Sequence, residues 1–298
     1  MIATDLQAQE VLVAECLSTH GRGLRQIGWG HWELALPPDE VHRAIARIQE
    51  DWLLLEVPLL SGQARQASRQ ALEFELLNRN AQLAGLAKFA RESSDGGISV
   101  HAEIPLAAGF DVQRAIERSL HGLGTALINS NRSPHQAMSA GPEPVASESA
   151  LSAEAKANCE EAGWATQDHD GGRLSITLDT RGEYYQAVFD PCSIIGGHRL
   201  LVELAAAEAY SPVCQRPLAV LLLTTTRAVR MVRAIAGQRD ARTTLGLEVS
   251  LMDSVGATAL DCSLSALSVA CDLCGREVRA LQLEHLAQFY VMSQCLSL

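Results

Sequence analysis

Apolar and polar positions change period several times along the chain, and the changes outline a unit that recurs. From Arg69 to Pro105 the sequence reads RQALEFELLNRNAQLAGLAKFARESSDGGISVHAEIP. Leu72, Leu76, Leu77, Leu83 and Leu86 return at about one helical turn with Glu73, Glu75, Arg79 and Gln82 between them, which predicts a helix with one apolar face. Leu86 to Arg91 predicts a short strand. Ser94-Asp95-Gly96-Gly97 supplies a turn, and Ile98, Val100, Ala102 and Ile104 alternate as a second strand. A fainter version runs from Arg216 to Met252. There Leu221, Leu222, Leu223, Val229, Val232 and Ile235 predict the helix, and Leu245, Leu247, Val249 and Leu251 the alternating strand. Setting Leu76-Leu77 on Leu222-Leu223 gives an offset of 146, and setting Ile98 on Leu245 gives 147. The register holds across the unit, so two copies are expected.

Each copy extends on both sides. Thr4 or Asp5 caps a helix from about Leu6 to Ser18, four glycines between His20 and Gly30 break it, and His31 to Pro37 alternates as a strand. The stretch Asp39 to Asp51 has helical composition, but its counterpart, Glu183 to Asp190, is aromatic and β-branched. A strand at Val41–Arg47 follows from the repeat. Trp52–Leu59 pairs with Arg199–Ala205 as the next strand, and Asp111–Leu127 closes the first copy with a helix. Residues 129 to 149 are poor in large apolar groups and rich in Ser, Pro, Ala and Gly, a linker composition. The second copy opens with a helix at Ala150–Ala162 and a strand at Arg173–Asp179. It ends in a helical stretch, Leu260–Tyr290, that Gly275 is expected to bend.

The expected fold class is α+β: two tandem α-β-β-β-α-β-β-α domains with antiparallel sheets, packed as a pseudo-dimer, at residues 1–130 and 150–298 with a linker at 131–149. The helices around Leu72–Leu86 and Ala219–Val232 are expected to face each other. Leu72, Leu76, Leu77, Leu222 and Leu223 are the candidate contact residues.

Composition narrows the function classes. The chain has 298 residues, 47% hydrophobic and 20% charged, and no apolar run reaches the ~18 residues of a membrane helix. Its amino terminus, MIATDLQAQE, lacks the basic and apolar regions of a secretory signal, so a cytoplasmic address is expected. The net charge is −11, spread as 16 acids against 11 bases over residues 1–130 and 16 against 12 over 156–298. That balance disfavours a nucleic-acid partner, whose phosphates ask for a basic face. Against it stand Arg227, Arg230 and Arg233, read as a stripe on the second central helix. They suit an acidic partner or, more simply, the acidic first copy.

The eight cysteines are irregularly spaced and read as reduced, buried thiols. His101-Ala102-Glu103 and Cys271-x-x-Cys274 match pieces of the zinc deaminase signature, but they fall in different copies and no proline precedes Cys271. Cys271 and Cys274 alone are half of a zinc site, with Cys262 and His285 as the neighbours that an enzyme alternative would need. No catalytic or cofactor-binding residue and no cofactor is assigned, and the glycines form no phosphate loop.

The run LEFELLNRNAQLAGLAKFARESSDGGISVHAEIPL, with Leu77-Asn78 on a helix, Lys88-Phe89 opening a strand and Ile104-Pro105 ending the next, resembles the class I type III secretion chaperones and their YbjN-type relatives. The resemblance covers about residues 5–128. The second copy has Thr224 for Asn78 and Ile235 for Phe89. It implies small, acidic, non-catalytic units that dimerise through the central helix and hold another polypeptide. Two fused copies would be a built-in pseudo-dimer, compatible with further homo-oligomerisation. The other classes are a metal- or thiol-dependent enzyme and a structural adaptor.

Overall fold

A computed structural model describes residues 2–36, 42–60, 69–92, 96–107, 109–130, 148–169, 173–192, 197–239, 242–252 and 256–296. The expected linker lies outside these residues except for 148 and 149, which begin a helix, and so do Ser94 and Asp95 of the Ser94–Gly97 turn. In chain order the first half is α1 (Ile2–His20), β1 (Arg22–Gly28), β2 (His31–Ala35), β3 (Arg43–Gln49), β4 (Trp52–Leu60), α2 (Arg69–Asn80), β5 (Ala87–Arg91), β6 (Ile98–Pro105) and α3 (Val112–Ser130). The second half is α4 (Glu148–Glu161), β7 (Thr166–His169), β8 (Arg173–Thr180), β9 (Glu183–Cys192), β10 (Gly197–Ala206), α5 (Pro212–Ala228), β11 (Arg233–Arg239), β12 (Arg242–Met252), α6 (Ala257–Ala280) and α7 (Glu284–Leu296).

The fold is α+β, with two six-stranded antiparallel sheets. Their orders are β1-β2-β3-β4-β6-β5 and β7-β8-β9-β10-β12-β11. Four strands precede each central helix, where the sequence pattern led us to expect three. The strands missed are the outermost ones. The exposed β1 has no apolar alternation and β7 is only four residues long. Two further expectations are corrected. The helix α2 stops at Asn80 and α5 at Ala228, so Leu83, Leu86, Val229 and Val232 lie in the connections and Ile235 on β11. The terminal helical stretch divides between α6 and α7, not at Gly275. Gly275 is where α6 meets β9, because a Cβ there would fall 1.9 Å from the Tyr185 hydroxyl.

The helix-like composition at residues 39–51 gives way to β3, as the repeat implied. Ala44 and Ala46 are fully buried while Arg43 and Arg47 are exposed, and pairing with β2 and β4 satisfies both backbone edges. Each sheet has an inner face under its own helices. In the first, Leu34, Leu53, Leu55, Val100 and Ala102 are buried there, and Gly122 of α3 lies against Ala87. In the second, Leu174, Ala187, Leu200 and Leu247 are buried on the face covered by α6. Among the described residues α6 is the helix long and apolar enough to cross a membrane, but its Leu260, Leu264, Leu267, Ala270 and Cys274 are wholly buried and it packs on β8, β10 and β12. It is a core helix.

Candidate functional site

The outer faces of the two sheets meet at a seam built by the central helices. α2 packs on α5 and on β11 of the other half, while α5 packs on α2 and on β5. Leu76, Leu77, Leu222 and Leu223 are buried at 2% exposure or less, and Leu72 is half-buried. Burying such a side chain stabilises by roughly 1.5–3 kcal/mol. The buried Glu73 of α2 adds an ionic tie, 3.1 Å from Arg216 of α5 and 3.6 Å from Arg91 of β5.

Side by side at the seam, a cation from each sheet holds the chain that leaves the other half's helix. The Lys88 ammonium of β5 donates to the carbonyls of Thr226, Val229 and Val232 at 2.8, 2.9 and 3.1 Å, gathering the oxygens that the end of α5 leaves open. The Arg233 guanidinium of β11 donates to Leu83, Ala87 and Gly85 at 2.8, 3.1 and 3.4 Å, just after α2. Each has a buried carboxylate. Glu103 lies 2.5 Å from Lys88, and Glu248 accepts from Arg233 Nε at 2.5 Å and from Arg199 at 3.1 Å, with Asp190 beyond Arg199 at 2.8 Å.

The residues leading into the two clasps also match. Asn80 Oδ1 accepts from Phe89 N at 2.7 Å, and Thr226 Oγ1 accepts from Ala234 N at 2.8 Å, each bond joining a helix end to the strand after it. Asn80 Nδ2 donates across the seam to Ala234 O at 2.9 Å. Gly85 and Met231, again 146 apart, are both left-handed with φ of 60° and 66°. Only glycine serves at the first, since a Cβ would meet the α3 backbone at Arg118 and Ser119 at 2.8 Å.

Electrostatics separate the two cations. Burial lowers the Lys88 pKa from its ordinary value, with the nearby Glu103 pulling the other way. His101, directly across the ladder from Lys88, is held well below its usual range by burial and then by Lys88, so the imidazole is neutral. Its Nε2 is buried without a hydrogen-bond partner. The buried His101 and Glu103 thus belong to the seam.

The expected arginine stripe is not one helical face. Arg227 is in the last turn of α5, Arg230 in the connection and Arg233 on β11. All three nevertheless reach the first half: Arg227 pairs with Glu92 at 2.5 Å and Glu56 at 3.8 Å, and Arg230 with Glu50 at 3.8 Å while lying 5.0 Å over the Trp52 ring. The cysteines do not converge on such a site. Cys271 and Cys274 are buried in α6, and burial pushes both thiols up to about 12. Cys262 and His285 are exposed, and among the described residues no three His, Cys, Asp or Glu side chains are grouped to hold a metal.

Sequence reasoning missed the roles of Lys88, Asn80, Glu103 and Glu248. One signal was present: Lys88 is one of two lysines among 24 basic residues, and it stands between apolar pairs, Leu86-Ala87 and Phe89-Ala90. On the outer face of the second sheet, beside the seam, lies a cavity of about 200 Å³. Ala81, Leu201, Ile235, Gly237 and Gly246 form its walls, and Asp190, Arg199 and Glu203 stand around it. Compared with known proteins, the chain matches no family model, no curated protein and no solved structure.

Proposed function

We propose that the chain is a tandem pair of chaperone-like α+β units, packed through their central helices as a pseudo-dimer, that binds another polypeptide without catalysis in the cytoplasm. The shared strand order and the reciprocal clasps support the duplication. They also depart from the type III chaperone pattern expected above, because each unit carries an additional outer strand.

The observation that carries the binding reading is β1. It ends the first sheet, pairing among the described residues with β2 alone, its residues are almost all exposed, and it carries Ile27 and leads into Trp29, at 45% and 64% exposure. An open edge beside exposed apolar side chains accepts an extended segment by strand addition. The test is capture of a reduced, carboxymethylated and therefore permanently unfolded polypeptide, followed by fluorescence anisotropy. Capture by the wild type, weakened about tenfold by Ile27→Lys with Trp29→Lys, supports the reading. Absence of capture, or capture unchanged in the variant, overturns it.

A further inference from the structure

The two sheets match strand for strand in their order, yet their outer ends carry opposite charge. Strands β1, β2 and β3 hold four arginines, Arg22, Arg25, Arg43 and Arg47, and one carboxylate, Glu33. Their counterparts β7, β8 and β9 hold one arginine, Arg173, and four carboxylates, Asp168, Asp179, Glu183 and Asp190. The first half is therefore basic at this end, in a chain whose net charge is −11.

Strand geometry gathers three of the arginines on the outer face. Ala44 and Ala46 of β3 are buried on the inner face, so Arg43 and Arg47, one position removed, stand on the other. Arg25 joins them through Glu33, its cross-strand neighbour on β2, which it meets at 2.5 Å and which lies 3.6 Å from Arg43. The seam covers the β5 end of this face, while the side chains of Arg25, Arg43 and Arg47 stay 68%, 58% and 45% exposed. Carboxylates are shared here: Glu33 serves Arg25 and Arg43, and Glu56 serves Arg47 at 3.9 Å and Arg227 at 3.8 Å. Of these four contacts only Arg25 to Glu33 is short enough for a hydrogen bond. A guanidinium has a fork of N–H donors that fits a carboxylate in bidentate fashion, and Arg43 and Arg47 present theirs outward.

We propose that the outer face of β1–β3 binds an acidic segment of the partner polypeptide, whose carboxylates meet Arg25, Arg43 and Arg47. This rests on the polypeptide-binding reading, to which it adds the chemistry of the segment and the half that holds it; β1, the open edge, borders the same face. At physiological salt, exposed charges more than about 8 Å apart are largely screened. The local arginines, not the acids of the distant second half, then set the sign of the attraction. Glu33 and Glu56 stand among the arginines, and a nucleic acid, charged at every phosphate, would have to cross them. An extended peptide whose acidic side chains alternate with neutral ones passes them by.

The probe is a fluorescein-labelled peptide of about ten residues, strand length, in which glutamate alternates with threonine. It is titrated into the full chain and followed by fluorescence anisotropy, beside the same peptide with glutamine for glutamate and a labelled oligothymidylate. Saturable binding of the glutamate peptide, at least tenfold weaker for the glutamine peptide and for the oligonucleotide, is expected. The triple variant Arg25→Gln, Arg43→Gln, Arg47→Gln should weaken it at least tenfold. All three side chains are exposed, so the variant is expected to fold. Arg173→Gln, Arg181→Gln, Arg276→Gln makes the same change of charge on the second half and should leave binding within twofold. Lack of saturable binding, equal binding of the glutamine peptide, preference for the oligonucleotide, or an equal loss in both triple variants overturns the proposal. If the unfolded polypeptide is captured through Ile27 and Trp29 but glutamate gives no preference, the acidic-segment inference alone is wrong. If the glutamate peptide binds and no unfolded polypeptide is captured, the open-edge reading falls while the arginine face stands as a site for acidic peptides.

Discussion

Lys88 and Arg233 do the same mechanical task by different chemistry. Each reaches from an edge strand of its sheet, β5 or β11, across the seam and collects three carbonyls at or after the end of the opposite central helix. Lys88 is a compact charge at the end of a flexible stem, 2.5 Å from the single carboxylate of Glu103. Arg233 is a planar fork in a longer series, sharing Glu248 with Arg199, which also binds Asp190. A charge in such a series keeps partial compensation when one member is lost, whereas the lysine clasp has less in reserve. Arginine also stays protonated when buried, while lysine does not have to. One half of the seam is therefore held by a fixed charge and the other by a titratable one.

The largest effect should come from Lys88→Met. It leaves Glu103 buried without its cation and three carbonyls without their donor, a cost of about 3–5 kcal/mol. Adding Glu103→Gln should return a substantial part of that loss, because the stranded charge is removed. Urea midpoints for the single and double variants measure it, and a single-variant loss below ~1 kcal/mol would show that the clasp matters little to the fold.

Arg233→Met should cost less, about 2–3 kcal/mol, since Arg199 still holds Glu248 and the loss is mainly that of hydrogen bonds from a charged donor. If this variant instead proves the more damaging of the two, the longer ionic series gives no protection and the comparison fails in that respect.

The smallest and most specific effect is on pH dependence. The Lys88 pKa is lower in the folded chain than its ordinary value of 10.5, so between those two values the unfolded chain binds the additional proton. Stability contributed by this group then rises with pH through that window and is least where both states are protonated. Wild type should accordingly gain on Lys88→Met as pH is raised toward 10.5, read as the difference in urea unfolding free energy. Lys88→Arg should abolish the slope. A difference that stays flat over this range in wild type would contradict a depressed pKa.

Much of the architecture was legible in the pattern of residues. The alternation of Ile98 to Ile104 and of Leu245 to Leu251 placed β6 and β12, because a strand with one apolar face has period two. The offset of about 146 placed β3 against its helical composition, because sheet pairing outweighs local propensity when both edges are satisfied. β1 and β7 escaped notice because they are nearly all exposed and so impose little on sequence. The end of α5 was misread because Val229, Val232 and Ile235 continue an apolar spacing after the helix has stopped, and the connection turns at Met231 in a left-handed conformation.

By itself, then, the sequence determined the class of fold, the repetition of the unit and the leucine faces of the central helices, all of which follow from short-range periodicity. Tertiary structure alone decided which charges are buried and whom they meet. Neither the strand position of Lys88 nor the stripe reading of Arg233 foretells that each meets the carbonyls of a helix end more than 130 residues away. Both placements depend on desolvation, which arises from the packing of distant segments and leaves no periodic trace along the chain.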